Sequence, residues 1–504
     1  MKRLGERLKS QTPCPFGLDE TCCRNCLLGP CRITSTAKRG VCGAEKEVIV
    51  ARGLTRFVAG GAAAHCGHAY HLLEFLKKKY PENYIKKRAP SYLYKTWKKL
   101  GIVPEVHLEH FKDISEALHA TTMGVDADYQ DILKWAMRLG IIDGYYGMYL
   151  ATELEDKEFG SPEIKEGALD LGVISNDKVN IAVHGHELQL ASALAEEAKK
   201  YKEVNLVGVC CTGAAILARY GVPLAANFVL SEDVIATGAI EAMAVDVQCI
   251  MPSLVDLAEC YHTKLITTNE LGKIPGALHL PVTDEKSAKA VAKRIIKTAL
   301  ENFKNRRKVN IPATKTKIKV GFTPDNLDLK ELFLKIKKKE IKGIIGAIGC
   351  NNPRVTEDWV SFYKKMSDLG YIILTTGCIA FKLGQAGLLD GERFFHLGSC
   401  VNNARIAEVF RRIANLSNKQ ITDLPFLISC PAPMTEKAIA IGFFFASLGV
   451  DVHFGYSNMF NSEPKVTNFL ANILHEDFKS KIFLETSPLK LLEKIKKEGL
   501  SLDR

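Results

Sequence analysis

The residues of this sequence with the greatest capacity for chemistry are its cysteines. There are 15 of them, and five lie in the stretch CPFGLDETCCRNCLLGPC between Cys14 and Cys31. The N-terminal stretch MKRLGERLKSQTP lacks the apolar segment of an export signal, and no apolar run reaches the length of a membrane span. We therefore expect a cytoplasmic protein with no transmembrane segment. Because cytosolic thiols stay reduced, clustered cysteines in such a protein indicate metal binding rather than disulfides.

The N-terminal cluster contains the spacing of one iron–sulfur cube. The pattern C-x2-C-x4-C-x10-C is formed by Cys23, Cys26, Cys31 and Cys42, and four thiolates on such a segment suit one [4Fe–4S] cluster. Zinc is the alternative, but it would leave Cys14 and Cys22 without a role. These two cysteines are half of a cube's ligands. Two chains of a symmetric dimer, each supplying two thiolates on the twofold axis, would complete a second cluster.

A second set of candidate ligands follows short apolar segments further along the chain. VNIAV precedes His184 and His186, NLVGV precedes Cys210 and Cys211, AVDVQ precedes Cys249, IIGAIG precedes Cys350, IILTTG precedes Cys378, and FFHLG precedes Cys400. Ligands of open α/β sheets bind beyond the carboxyl ends of the strands. One cysteine in such a place is often only a small buried residue, and we interpret Cys260 and Cys430 as core thiols. Five cysteines and a histidine in equivalent places indicate one shared metal centre.

The donor set of this second group narrows the kind of metal. Soft thiolates select iron–sulfur clusters, zinc, copper(I) or nickel. A structural zinc site closes with four ligands, so one histidine and five cysteines from separate strands are too many. A polynuclear iron–sulfur centre with a nitrogen-ligated further metal fits the set better.

The hydrophobic pattern predicts an α/β fold with an N-terminal helical domain. Residues 1–165 are expected to form the helical iron–sulfur domain, because the segments at 47–79 and 129–142 have apolar residues at helical spacing. From about residue 170, apolar strands alternate with helical segments, which predicts two Rossmann-like α/β domains with parallel sheets, at 166–315 and 316–504. The basic segment KNRRKVNIPATKTK at 304–317 is interpreted as the linker between them.

Several function classes are not indicated by the sequence. Neither α/β region contains GxGxxG or GxxxxGK[ST], so nothing points to a dinucleotide or ATP. The formal net charge is +11, but the lysines are spread over helix-like segments and no nucleic-acid-binding module accompanies them. We therefore expect no nucleic-acid partner.

The sequence resembles the catalytic subunit of the anaerobic nickel–iron carbon monoxide dehydrogenases from about residue 10 to about residue 455. The motifs that carry the resemblance are CPFGLDETCCRNCLLGPCRI, GVCGAEKEVIVARGL, VHGHEL, GVCCTG, QCIMPSLVDLAECYHTK, GAIGCNNPR, TTGCIAFKLGQAGLL, GSCVNNAR and PAPMTEKAIAIG. The resemblance implies an oxidoreductase that interconverts CO and water with CO2, two protons and two electrons. The substrate would be a small gas, and the electrons would pass through [4Fe–4S] clusters to a ferredoxin-like acceptor.

The resemblance also implies a homodimer with three kinds of cluster. Cys14 and Cys22 of both chains would hold one shared [4Fe–4S] cluster, and Cys23, Cys26, Cys31 and Cys42 would hold one [4Fe–4S] cluster in each chain. The active centre would be a nickel–iron–sulfur cluster with His186 and Cys211 on an iron outside the cube, Cys249, Cys350 and Cys378 on the cube irons, and Cys400 on nickel.

Further active-site residues follow from the same resemblance; they are Lys437, His65, His68, His71 and Asp143. The lysine would hydrogen-bond the developing carboxylate. The three histidines are spaced by three residues on a predicted helix and would carry protons from a buried site. In the related proteins a fourth histidine continues this row, at the position where this chain has Glu74. Asp143 matches an acid that lies near the active site of the related proteins.

The chain departs from the related sequences in ways that keep other functions open. Segments are missing between His186 and Cys211 and between Cys378 and Cys400, while CCTGAA and SCVNNAR replace the usual CCTGNE and SCVDNSR. A nickel-free hybrid-cluster enzyme that reduces hydroxylamine is the alternative, although its class uses glutamate ligands where this chain has paired cysteines. A third hypothesis is an electron-transfer or redox-sensing protein that uses only the N-terminal clusters, and it leaves the strand-end ligands unexplained.

Overall fold

The computed structural model describes residues 3–79, 81–103 and 109–500. Within these ranges the helices are α1 (Leu4–Ser10), α2 (Pro15–Leu18), α3 (Lys46–Phe75), α4 (Tyr84–Arg88), α5 (Ser91–Lys99), α6 (Glu109–Ala120), α7 (Tyr129–Ile142), α8 (Leu150–Phe159), α9 (Gln189–Ala198), α10 (Cys210–Tyr220), α11 (Ser231–Ala236), α12 (Leu254–Cys260), α13 (Glu285–Asn302), α14 (Leu329–Lys337), α15 (Trp359–Asp368), α16 (Gly377–Gln385), α17 (Asn403–Ser417), α18 (Glu436–Ser447), α19 (Pro464–Ile473) and α20 (Pro488–Glu498). A π-helical turn, Asp143–Tyr149, joins α7 to α8.

The strands are short, and most of them alternate with the helices. They are β1 (Cys22–Cys23), β2 (Cys31–Arg32), β3 (Lys165–Leu169), β4 (Val179–Gly185), β5 (Val204–Val209), β6 (Leu224–Ala226), β7 (Ile240–Val245), β8 (Lys264–Thr267), β9 (Leu278–His279), β10 (Thr316–Val320), β11 (Gly343–Ala347), β12 (Tyr371–Thr376), β13 (Phe394–Gly398), β14 (Phe426–Cys430), β15 (Asp451–Phe454) and β16 (Ile482–Leu484).

The helical region is built around the 30-residue helix α3, which packs against α7 and α18. Helix α18 has the sequence EKAIAIGFFFAS and is buried on nearly all sides, as expected for a helix that is apolar all round. A Cβ atom on Gly61 would lie 2.5 Å from the carbonyl oxygen of Glu436. Because glycine stands there, the first turn of α18, which contains Lys437, reaches the middle of α3.

The two α/β regions share one sheet of 14 strands, in the order β16-β15-β14-β11-β12-β13-β10-β3-β6-β5-β4-β7-β8-β9. All neighbouring strands in this sheet pair in parallel except β10 and β3, which are antiparallel and join the two halves. Sheets of this kind twist by about 20–25° per strand, and residues that follow strands of both halves line one cavity. The parallel strands that alternate with helices confirm the predicted α/β fold class. The sequence did not predict that the two α/β regions share one continuous sheet.

The division into three domains stays a prediction, and its outer limits, residues 1 and 504, lie outside the described ranges. The expected linker at 304–317 is fixed to the first α/β half, since the Arg306 guanidinium pairs with the buried Glu241 carboxylate at 2.7 Å. In the described part of the chain, no helix is both long and apolar enough to cross a lipid bilayer.

Candidate metal centre

The loops that follow the strands of both halves of the sheet meet in one small cavity. All six predicted ligands line it, together with Lys437: they are His186, Cys211, Cys249, Cys350, Cys378 and Cys400. Five of the six are buried, and Cys249 is half-buried. The structure therefore brings together side chains that are separated by more than 200 residues of sequence.

A left-handed backbone residue stands directly before each ligand or two positions before it. These residues and their φ angles are Gly185 (136°), Cys210 (58°), Gln248 (65°), Gly349 (92°), Gly377 (67°) and Gly398 (124°). Such a φ turns the chain sharply where the strand ends and is favourable only for glycine. At Gly377 a Cβ atom would also lie 2.9 Å from the Cys400 sulfur. Cys210 and Gln248 adopt this backbone without being glycine, a strain of about 1–3 kcal/mol that is common at functional sites.

Three of the ligands lie closest together. One ligand atom each from His186, Cys211 and Cys400 falls within 4.8 Å of the others, and the Cys400 backbone N–H donates to the Cys211 sulfur at 3.4 Å. Hydrogen bonds from the thiols of Cys210 and Cys400 hold the pKa of Cys211 well below its usual range. A lowered pKa favours the thiolate, which is the form that binds metals.

The composition of the cavity fits an iron–sulfur centre with a further metal. Its donors are one imidazole and several thiols, and none of its lining residues is an Asp or Glu among the residues described. The Nδ1 atom of His186 is buried without a hydrogen-bond partner in the described part of the chain. A buried polar atom of this kind normally has a partner. A neutral imidazole has one acceptor nitrogen, so a metal on Nδ1 would require Lys437 to leave Nε2, and a metal on Nε2 would replace the contact with Lys437.

Lys437 points from the first turn of α18 into this set of ligands. Its Nζ donates to His186 Nε2 at 2.7 Å, to Gln248 Oε1 at 2.9 Å and to the Cys249 sulfur at 3.4 Å. Burial alone would lower the pKa of Lys437, but electrostatic attraction to the sulfurs of Cys249, Cys400 and Cys211 outweighs burial and raises it. The side chain is thus a buried cation held against the centre.

Asp246 supports the loop that carries His186, and sequence reasoning missed it. Its carboxylate accepts hydrogen bonds from the backbone N–H groups of His186 at 2.7 Å and Glu187 at 3.2 Å, and from Thr212 Oγ1 at 3.0 Å. Burial, with the nearby charge of Glu187, raises the pKa of Asp246 to about 7. The sequence signal was an acid inside the apolar segment AVDVQ. That segment was predicted as a strand to residue 248, whereas β7 ends at Val245 because Asp246 begins the loop.

The three predicted histidines lie along α3, and each is paired with a different carboxylate. His65 Nδ1 lies 2.6 Å from Asp143, His68 Nε2 lies 3.1 Å from Glu155, and His71 Nδ1 lies 2.5 Å from Glu187. Asp143 was predicted to be near the site, but the two glutamates were not. Burial raises the pKa of Asp143, although His65 opposes this effect.

The row of histidines begins near Gln248, a neighbour of the metal centre, and ends at an open cavity. At its inner end, Gln248 accepts from Lys437 and donates from Nε2 to the carbonyl oxygen of Ala64, next to His65, at 2.6 Å. At its outer end, His71 and Glu74 line a cavity of about 500 Å³. Glu74 accepts a hydrogen bond from Tyr70 at 2.7 Å, so a carboxylate stands at the opening.

The sequence profile of the Prismane/CO dehydrogenase family matches residues 21–83 and 72–489. The chain belongs to this family. A relative from Methanosarcina mazei, carbon monoxide dehydrogenase 1, is 35% identical and aligns with 99% of this chain and 95% of its own length. That alignment runs over 600 positions, against 504 residues here, so internal segments of the relative have no counterpart in this chain.

Solved structures of similar proteins confirm the expected resemblance. Carbon monoxide dehydrogenase IV from Carboxydothermus hydrogenoformans superposes with a TM-score of 0.93 at 35% identity, over 99% of this chain and 95% of that one. A nickel-free, as-isolated carbon monoxide dehydrogenase from Thermococcus sp. AM4 superposes with a TM-score of 0.92 at 34% identity, over 100% of this chain and 94% of that one. The fold of the whole chain is therefore that of the carbon monoxide dehydrogenases.

The N-terminal cysteines of this family member are more exposed than the ligands of the cavity. Cys14 and Cys42 are exposed, whereas Cys22, Cys23, Cys26 and Cys31 are half-buried. Strands β1 and β2 place Cys23 opposite Cys31, and the Val41 backbone N–H donates to the Cys31 sulfur at 3.4 Å. Within the described ranges, no three of these six side chains come as close together as His186, Cys211 and Cys400. Their assignment to two clusters stays a prediction.

Three further cysteines complete the comparison with the sequence. Cys430 is fully buried at the end of β14, as predicted for a core thiol. The same prediction is wrong for Cys260, which is exposed because it ends the short helix α12 at the surface. Cys210, a strand-end candidate from the sequence, lines the metal cavity beside Cys211, whereas the resemblance assigns the ligand role to Cys211 alone.

Proposed function

We propose that this protein interconverts CO and water with CO2, two protons and two electrons at a nickel–iron–sulfur centre. The observation that carries the proposal is the single cavity that contains all six predicted ligands and Lys437. Membership of the family supports the enzyme class, an anaerobic carbon monoxide dehydrogenase. The alignments with carbon monoxide dehydrogenases cover nearly the whole chain. The proposal therefore concerns the complete set of site residues.

The residues that would hold the centre divide into three groups. His186 and Cys211 would bind an iron outside the cube, Cys249, Cys350 and Cys378 the irons of the cube, and Cys400 the nickel. When bound, such a cluster supplies Lewis-acid activation of CO and water and takes up two electrons. The cysteine sulfurs must be thiolates for this purpose. The pKa values of Cys211 and Cys249 are lowered, whereas burial and neighbouring cysteines raise those of Cys350 and Cys400, so metal binding would have to displace a proton from these two.

Lys437 would stabilise the negative charge that develops on the oxygen atoms of the substrate. Its Nζ is buried and already lies among the ligands, at 2.7 Å from His186. A fixed cation in a site without bulk water stabilises a developing charge strongly, because no solvent must reorganise. The same side chain would also orient a small linear product, which offers few other contacts.

The histidine row would move the protons released from water. His65 and Asp143 form the inner pair, and Gln248 links this part of α3 to Lys437. His71 and Glu187 form the outer pair beside the open cavity. A histidine held by a carboxylate accepts a proton readily and can pass it on.

The electrons would leave through the N-terminal cysteines in a homodimer. The exposed Cys14 and the half-buried Cys22 are available to a second chain. Leu27, Leu28 and Val41, next to the other cysteines, are 103%, 58% and 68% exposed, and large exposed apolar residues in one region mark interaction sites. A ferredoxin-like protein would be the acceptor.

The proposal is tested by metal analysis of anaerobically purified protein together with CO-dependent reduction of a viologen dye. We expect about one nickel per chain and CO oxidation that requires it. Iron without nickel, no CO oxidation after nickel loading, and turnover of hydroxylamine would instead support the hybrid-cluster alternative. That alternative requires glutamate ligands, and the described lining residues of the cavity include no carboxylate.

A further inference from the structure

A buried carboxylate lies behind the metal cavity and receives hydrogen bonds from two different parts of the molecule. Glu155 of α8 has no exposed surface. Its Oε1 lies 3.1 Å from His68 Nε2, and its Oε2 accepts from Asn402 Nδ2 at 3.4 Å. One side chain thus contacts both the middle histidine of the row and the segment that follows Cys400.

Asn402 connects this carboxylate to the turn that presents Cys400. Its Oδ1 accepts from the backbone N–H of Ser399 at 2.9 Å and from the Ser399 hydroxyl at 3.1 Å. Its Nδ2 also donates to Thr152 Oγ1 at 3.1 Å. Since Asn402 is fully buried, the position of the turn depends on what faces this amide group.

The contact with Glu155 also determines which nitrogen of His68 carries hydrogen. A carboxylate can only accept, so the nitrogen that faces it, Nε2, must be the donor. Nδ1 of His68 is then the nitrogen available for proton exchange, and it has no hydrogen-bond partner in the described part of the chain. His65 has the opposite arrangement, because Asp143 faces its Nδ1.

The charges around Glu155 keep it ionised. Burial alone would raise the pKa of Glu155, but the hydrogen bond with His68 and the charges of Arg219 and Arg405 lower it. Arg219 from α10 lies 3.4 Å from Glu155, and both arginines also pair with Asp156, the next residue of α8, at 2.6 and 2.7 Å. The positive charges of the two arginines therefore balance the negative charges of Glu155 and Asp156.

We infer that Glu155 is a positioning residue that couples the histidine row to the Cys400 turn. It fixes the hydrogen-bonding nitrogen of His68, and through Asn402 it supports the turn that presents a ligand of the metal centre. The part of the inference that concerns proton transfer rests on the proposed function. The part that concerns His68 and Asn402 does not.

The test compares Glu155→Gln with Asp156→Asn in the anaerobically purified holoenzyme. Asp156→Asn is a matched control, because it removes one charge from the same network, whereas the carboxylate of Asp156 pairs with the arginines. Glutamine cannot accept from both His68 and Asn402 through its amide group, which would present a donor to one of them. We expect Glu155→Gln to keep its nickel and to lose CO oxidation about tenfold, and Asp156→Asn to lose clearly less. Equal losses in the two variants would overturn the inference.

A second readout does not depend on activity. In protein labelled with 15N-histidine, with the His68 signals identified from the His68→Gln variant, we expect hydrogen on Nε2 in the unmodified protein and in Asp156→Asn. Glu155→Gln should change this tautomer where the amide donates to Nε2, or shift the His68 Nε2 signal where the amide oxygen replaces the charged acceptor. Unchanged His68 signals would overturn the inference.

If Glu155→Gln does not fold, Glu155→Asp provides the same test. It keeps the charge beside Arg219 but moves the carboxylate away from His68 and Asn402, so it should also reduce the rate. Full activity of Glu155→Asp with unchanged His68 signals would overturn the inference. Unmodified protein that contains nickel but does not oxidise CO would refute the proposed function instead, and the His68 signals would still decide the role of Glu155.

Discussion

The two cysteine-rich regions of this protein, the metal cavity and the N-terminal segment, differ in how firmly the surrounding structure fixes the positions of the cysteines. In the cavity, the ligands are held by strand ends, by left-handed backbone residues and by the carboxylate of Asp246. In the N-terminal segment, two short strands are the only sheet, and Cys14 and Cys42 are exposed. The difference indicates that the sheet fixes one site in advance, whereas we expect the other to need metal or a second chain to complete it.

Removing a ligand from the cavity should have the largest effect. Cys400→Ala should reduce CO oxidation to the background rate, because the sulfur assigned to nickel is lost while the N-terminal cysteines remain. CO-dependent viologen reduction and nickel analysis check this expectation. Cys260→Ala is the matched control, since Cys260 is exposed and distant from the cavity lining. CO oxidation in Cys400→Ala equal to that of the control would contradict the assignment of Cys400 to the metal centre.

Lys437→Ala should have the next largest effect and should separate catalysis from cluster binding. The variant loses the cation that contacts His186 and Cys249, so we expect roughly 100-fold slower CO oxidation with unchanged nickel and iron content. The control is Glu436→Gln, an exposed residue of the same helical turn. Full activity of the lysine variant would refute its assigned role.

Asp246→Asn should weaken metal binding in the cavity, with a smaller effect than either preceding variant. Asparagine has one acceptor oxygen, so it cannot hold both the His186 N–H and the groups that bind the second carboxylate oxygen. We expect a loss of about tenfold in metal affinity or activity, as for other residues that support metal ligands. Metal retention during chelator treatment measures the effect. Retention equal to that of the unmodified protein would show that the turns hold His186 without this carboxylate.

Cys22→Ser should have the smallest effect on the cavity and the clearest effect on assembly. The nickel content should not change, whereas iron per chain should fall and viologen reduction should slow several-fold, because one ligand of the shared cluster is lost. Iron analysis and the molecular mass in solution provide the readout. Loss of nickel in this variant would contradict the proposal that the metal cavity assembles independently of the N-terminal cysteines.

The sequence was most informative where a general rule of α/β sheets applies. The strand-end rule predicted the six positions, and the resemblance selected His186 over His184 and Cys211 over Cys210. The structure brings all six ligands into one cavity. The partners Glu155 and Asp246 were missed because each acts on a residue from a distant part of the chain. The continuous sheet was also missed, since β3 has the sequence KEGAL, which lacks the apolar pattern of a buried strand.

The central claim is that the cavity between the two halves of the sheet holds the nickel-containing centre. Anomalous diffraction at the nickel absorption edge, from crystals of anaerobically purified protein, tests it most directly. We predict one nickel peak per chain within bonding distance of the Cys400 sulfur, with iron peaks beside Cys249, Cys350 and Cys378. A cavity that contains iron alone, in protein whose nickel supply was sufficient, would contradict the account.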